Sequence, residues 1–224
     1  MLNELLFALW ETTYMVALST FFSGIFGFAL AIIMVLTGSN GLRPNKSIYS
    51  ALDVIVNLLR SFPFIILMIA IIPLTRLIAG TSIGSTASIV PLTIAATPFV
   101  ARIMEGSLLE VENGVIEAAR SFGASDRQII FGVMIKEAMP AIVLNWAVVA
   151  INLLGYSAMA GVVGGGGLGD LAIKYGYNRF QTDVMIYSVA ILIVMVQVIQ
   201  TGNGGVSTGL QERRNMLQPT LEKV

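Results

Sequence analysis

The sequence predicts an all-α integral membrane protein with five transmembrane helices, its N-terminus outside and its C-terminus inside, and a cytoplasmic helical knob between spans three and four. Three observations carry this. Of 224 residues, 56% are apolar and 12% charged, against about 45–50% and about 25% in an ordinary soluble domain. The few charges leave five apolar intervals long enough for a bilayer core, which needs about 20 residues of helix. Basic residues gather in alternate segments, nine on one side and three on the other with Arg60 set apart, and Lys and Arg in short loops favour the cytoplasmic side.

Composition narrows the chemistry. Mean hydropathy is +0.83, and 13 basic residues balance 13 acidic ones, so neither charge-driven disorder nor a nucleic-acid footprint is expected. The chain has no histidine and no cysteine. That removes His-dependent triads, thiol nucleophiles, His/Cys metal sites and disulfides, and no catalytic residue is expected. The first apolar stretch is too long, and lacks the preceding basic residues, for a cleavable signal.

Span one is assigned to residues 14–36, within the charge-free run from Thr12 to Leu42. Span two, 54–74, must tolerate Arg60, which either snorkels to the headgroups or is a buried partner for Asp53 and the cytoplasmic segment. Span three, 88–105, follows the weak stretch Gly80 to Thr86 and includes Pro91 and Pro98, as a packed, kinked helix would. Span four is 138–163 and a short span five is 184–200. No acidic residue is expected inside a span. Residues 1–200 thus form the membrane domain and 201–224 a cytoplasmic tail, mobile or altered because Thr201 to Gly209 is polar and carries four glycines.

The cytoplasmic segment 108–136 has its own pattern. Val115, Ile116, Ala119 and Phe122 recur at helical spacing, with Glu117 and Arg120 on the other side. Gly123 suits a left-handed helix cap, and Ser125 to Gln128 reads as a capping box that opens a second helix, whose apolar face is Ile129, Ile130 and Val133. A helix, a glycine turn and a helix make either a docking surface or a capped loop packed on its own bundle.

Glu117, Ala118 and Ala119, then Gly123, with apolar Val133 ten residues on, resemble the E-A-A loop of ABC importer permeases. One departure is Lys136, where the family pattern has proline. The resemblance covers roughly residues 10–200 and is closest to the permease subunit of bacterial methionine ABC importers, through Asn57 to Ile66, Ile71 to Arg76, Gly80 to Gly84, Ile89 to Thr93, Pro98–Phe99, Gly155 to Met159, Gly165 to Gly169 and Tyr175 to Tyr177. It implies that Glu117, Ala118, Ala119, Gly123 and Val133 belong to a coupling helix seated on an ATPase. It further implies two copies of that separate ATPase, which binds ATP and magnesium, an extracytoplasmic methionine-binding protein, and a place in the bacterial inner membrane. This chain itself would hold no cofactor and be no enzyme. Five spans are too few to enclose a pathway alone, so a second copy is expected.

At 100° per residue, Asn145, Asn152, Tyr156 and Met159 fall within about 60° on span four. The asparagines fit interhelical hydrogen bonding or a wet cavity equally well. Tyr156 and Met159 offer a soft, polarizable surface suited to a thioether, and the resemblance places them on the substrate path. Without acids in the spans, a substrate of zero net charge fits best. Gly164 to Gly167 lack the Gly-Lys-Ser/Thr of a phosphate loop and are expected to give tight backbone at the outer mouth, against a second subunit or a docked binding protein. The functional reading is a methionine importer permease, L- and D-forms included, or one for another neutral or polar amino acid. An intramembrane enzyme using carboxylates or a Ser–Lys pair, and a purely structural or channel-like subunit, are the alternatives of a different class.

Overall fold

The structure, a computed structural model, describes residues 1–217, with side chains through Asn203. Its elements there are all helical. α1 spans Leu2–Thr37 and begins well before the apolar heart at 14–36, because Glu4 and Glu11 interrupt hydropathy without interrupting a helix. α2 (Lys46–Ser61) is capped by Asn45, whose side chain accepts the Ile48 N–H.

The segment expected as one second span, 54–74, is not one helix. α2 stops at Phe62, and α3 (Phe64–Ala70) leaves at 101° to it, followed by α4 (Ile72–Ala79). Pro63 is the cause. A residue before proline is pushed out of the helical region, and Phe62 sits at φ −74°, ψ 129°. Gly80, at φ 74°, ends α4.

α5 (Ser85–Leu109) then runs unbroken through Pro91 and Pro98, both buried. The knob follows: α6 (Asn113–Ser121), the short α7 (Asp126–Gln128), a π-helical stretch Ile129–Met134, and α8 (Ile135–Glu137). α9 (Met139–Val162), α10 (Gly167–Leu171), a second π-helical stretch Ala172–Tyr177 and α11 (Thr182–Leu217) complete the order. The backbone of α11 carries the helix through Gly202 and on to Leu217, past the expected end at 200; residues 218–224 of the expected tail lie outside the described residues. Among the described residues, four helices are long and apolar enough to cross a membrane, and there are five spans if the bent α2–α3 pair counts as one.

Successive passes alternate in direction, and contacts tie each end. At the knob end, Arg43 after α1 meets Asp126 at 2.5 Å and the Arg120 guanidinium donates to the Leu42 carbonyl at 2.9 Å. At the far end, Gly84 N–H donates to the Gly164 carbonyl, while Gly167 and Leu168 N–H groups donate to Glu11 Oε2 and Thr12 Oγ1, each at 2.9 Å. The glycine segment therefore packs on α1 and the start of α5 of its own chain. Its amides are already engaged, Gly167 with a carboxylate, Leu168 with a hydroxyl, and Gly164 and Gly165 with backbone carbonyls of α9, which is the opposite of a phosphate cradle.

The core lies along α5, with Leu92, Ala96, Val100 and Met104 fully buried against Met15 and Ala31 of α1 and Leu153 of α9. Small residues permit this closeness. A Cβ on Gly27 would lie 2.6 Å from Val100 Cβ and 2.7 Å from the Thr97 carbonyl oxygen, and one on Gly24 2.1 Å from the Trp146 ring.

This packing predicts opposite signs for two substitutions. Gly27→Ala drives a methyl into α5 and costs stability, on the scale of about 1–3 kcal/mol for overpacking. Gly106→Ala meets nothing within 4 Å and gains up to about 1 kcal/mol of helix propensity. Thermal unfolding midpoints in detergent micelles check this: a fall for the first, a rise for the second.

Candidate functional site

The knob is built so that its apolar side faces the bundle and its tip faces away. Ile116 and Ala119 of α6 pack on the core, as do Ile129, Ile130 and Met134 beyond the turn. Glu117 and Ala118 are exposed, and Val133 is half-buried. Gly123, at φ 78°, reverses the chain. Around it Phe122 N–H donates to Ala118, Gly123 N–H to Arg120 and Ala124 N–H to Ala119. The capping box is present: Gln128 N–H donates to Ser125 Oγ, and Ser125 N–H to Gln128 Oε1.

Two side chains of the expected apolar face are exposed, Val115 marginally and Phe122 almost wholly. Phe122, placed by periodicity on the inner face, is 91% exposed. The helix ends at Ser121 and Phe122 is its cap at φ −81°, ψ 5°, so the 3.6-residue period no longer fixes its direction. Together Glu117, Ala118 and Phe122 form a tip with an apolar wedge flanked by charge. Behind it, a cleft of about 300 Å³ opens between the knob and α9, lined by Glu110, Glu112, Glu137, Leu144 and Asn145 among others.

The predicted stripe on α9 divides. Asn145, near the knob end, donates from Nδ2 to Ser107 Oγ of α5 at 2.8 Å, which is the interhelical use. Asn152 keeps a buried Oδ1 without a partner. Tyr156 stacks on Phe64, with ring centroids 4.7 Å apart and planes 3° from parallel. Met159 is 44% exposed, one turn further along. Phe64 belongs to this site and periodicity did not find it. It is the first residue of α3, aimed at α9 by the bend at Pro63, and its only sequence signal was the adjacent proline.

The expectation of acid-free spans needs correction. Glu105 lies inside α5 and is 3% exposed, neutralised by Arg102, whose Nη1 donates to Glu105 Oε2 at 2.8 Å. Arg102 also bridges to Asp53 and Asn57 of α2, and Tyr49 OH donates to Glu105 Oε1 at 3.0 Å. Asp53 is thus paired with Arg102, and Arg60 is exposed, which removes the reading of Arg60 as a buried partner for Asp53. Near Asn152, Tyr156 and Met159 the side chains named remain uncharged. Their arrangement suits a neutral ligand with a polarizable apolar group.

Residues 25–201 match the family model described as binding-protein-dependent transport system inner membrane component. The chain is 51% identical over 197 residues to the "Probable D-methionine transport system permease protein MetI" of Vibrio cholerae, covering 88% of each. It is 40% identical over 199 residues to the "Methionine import system permease protein MetP" of Bacillus subtilis, covering 89% of this chain and 90% of the relative. Among solved structures, it superposes with a TM-score of 0.92 and 40% identity on a chain of the MetNI methionine ABC transporter in an inward-facing conformation, covering 94% and 97% of the two chains.

The Phe64–Tyr156 stack predicts a measurable coupling. Phe64→Ala and Tyr156→Ala, taken singly and together through a thermal-unfolding double-mutant cycle, give an interaction of about 0.5–1.5 kcal/mol, the worth of an aromatic pair beyond its area. Strict additivity would mean that the rings do not act together.

Proposed function

Since the chain belongs to the family of binding-protein-dependent transport system inner membrane components, we propose that it is the membrane-spanning subunit of an ATP-driven importer that moves methionine, in its L- and D-forms, into the cytoplasm. The observation that carries this is the pairing of an exposed helical knob at one end with an uncharged aromatic–thioether site on α9, in a chain whose relatives named for methionine transport match it along nearly its whole length. A permease for another neutral or polar amino acid is the second reading. It draws on the same site, because a stacked ring pair and a thioether recognise shape and polarizability and not one side chain alone.

In this reading the N-terminus is outside, the knob and the C-terminal end are cytoplasmic, and the basic asymmetry of the loops supports that orientation. Two copies of the permease enclose the path, two copies of a separate ATPase bind ATP and magnesium, and an extracytoplasmic binding protein delivers the substrate. Glu117, Ala118, Ala119, Gly123 and Val133 form the coupling segment, with Phe122 at its tip. ATP binding draws the ATPases together and carries each knob with them. The permeases rock so that the cavity opens outward and receives methionine; hydrolysis returns it to the inside. The energy of the switch is the difference in contact free energy between the two states. Asn152, Tyr156 and Met159 line the path, whereas Asn145, bonded to Ser107, serves helix packing.

Reconstitution with the ATPase and binding protein in ATP-loaded proteoliposomes tests this. The wild type takes up radiolabelled methionine, and unlabelled methionine competes more strongly than leucine or glutamine. Met159→Ala shifts apparent affinity severalfold while ATP hydrolysis persists, because one thioether contact is worth about 0.3–1.5 kcal/mol. Equal competition by all three amino acids would favour the second reading.

A further inference from the structure

α2 is attached to the bundle in an unusual way. Of its residues only Val56 is buried, while Ile48, Val54, Ile55 and Leu58 are exposed. Three polar side chains at four-residue intervals, Tyr49, Asp53 and Asn57, line one face of α2. All three converge on the Arg102–Glu105 pair of α5.

Arg102 is the centre of this cluster, and both of its terminal nitrogens are used: one serves Glu105, the other serves Asp53 and Asn57. A lysine could not hold three partners in fixed directions from one point charge. Glu105 is buried, so its hydrogen bonds to Arg102 and Tyr49 are what keep a carboxylate there at all. Beside the cluster, Met34, Val56 and Ala101 form a small apolar contact among α1, α2 and α5.

The position of the cluster matters as much as its chemistry. Glu105 lies one turn before the end of α5, and the chain continues from there directly into α6 of the knob. On the other side, α2 ends at the Pro63 bend, and the next residue is Phe64, stacked on Tyr156. A continuous series of rigid elements and directed bonds thus runs from the knob through α5, Arg102 and α2 to the aromatic pair.

We propose that Tyr49, Asp53, Asn57, Arg102 and Glu105 are positioning residues that transmit movement of the knob to α3, and so set how Phe64 meets Tyr156 during the transport cycle. The proposal rests on the importer reading for the identity of the moving partner. In lipid an apolar helix face gains little from choosing one neighbour over another; the polar stripe therefore fixes the rotation of α2, and through the bend the placement of α3.

The absence of cysteine makes the test direct. Ile69→Cys and Val163→Cys, which line one small cavity between α3 and the end of α9, report the α3–α9 separation by thiol cross-linking. They are introduced together into the permease, assembled with its ATPase and binding protein in proteoliposomes. Cross-linking yield is read with and without ATP plus vanadate, together with ATP hydrolysis and methionine uptake. The expected result is an ATP-dependent change in yield in the otherwise unaltered permease. Arg102→Lys and Asp53→Asn abolish it, and the mild Tyr49→Phe reduces it severalfold, while nucleotide-free yield and ATP hydrolysis stay near the parent values. A permease whose yield ignores ATP, variants that keep the full response, or variants that lose nucleotide-free yield and hydrolysis together would overturn the proposal, the last by making the cluster a packing element only. An ATP response lost in the variants but unaccompanied by methionine uptake in the parent supports the linkage and removes the methionine assignment.

Discussion

In hydrocarbon, apolar side chains gain little by leaving lipid for a neighbouring helix, so helices hold together by how closely their backbones approach and by the few polar bonds between them. The fold depends on that constraint. Gly24 and Gly27 let α1 lie on Trp146 and Val100, and α5 becomes the spine against which the other helices are placed. The same device recurs at the far end, where Gly161 and Gly169 bring the end of α9 and the α10 segment to backbone contact: a Cβ on Gly169 would be 2.3 Å from the Ala158 carbonyl oxygen. Larger residues at these points would separate helices that have no other strong reason to stay together.

Polar side chains are therefore concentrated where they give direction. Glu11 takes the Gly167 amide and pins α10 to α1; Arg102 and its partners orient α2; Asn145 joins α9 to α5. Between these anchored levels lies the uncharged stretch of Asn152, Tyr156 and Met159, with Tyr156 stacked on Phe64 of α3. The proposed importer function would use this division: a firm frame, a tip for an aqueous partner to move, and a binding surface whose shape depends on helix placement. The exposed Phe122 and the stacked Phe64 stand at the two ends of the proposed linkage.

Much of the fold was legible because lipid imposes a coarse rule on sequence. The apolar intervals mark α1, α5, α9 and α11, and Gly123 with Ser125 and Gln128 spells out the turn of the knob, since left-handed backbone and a capping box are local requirements. What hydropathy could not show is direction within an apolar run. Phe62 and Pro63 are as apolar as their neighbours, so a single span hid a 101° bend. Phe122 escaped because helical period stops having meaning at a cap. Glu105 sits beyond the uncharged part of its interval, and its burial depends on Arg102 and Tyr49, partners that only the tertiary structure brings together. The stripe on α9 was visible as a face, but which of its members bonds to α5 and which stacks on α3 depended on Ser107 and Phe64, distant in sequence.

The account stands most directly on the tip of the knob being the seat of the ATPase. A single Phe122→Cys in the cysteine-free chain, probed with a membrane-impermeant maleimide in inside-out vesicles, measures this. The account predicts rapid labelling from the cytoplasmic face when the ATPase has been stripped away, and strong protection once it is restored. Labelling from the opposite face alone, or labelling that is the same with and without the ATPase, would contradict it.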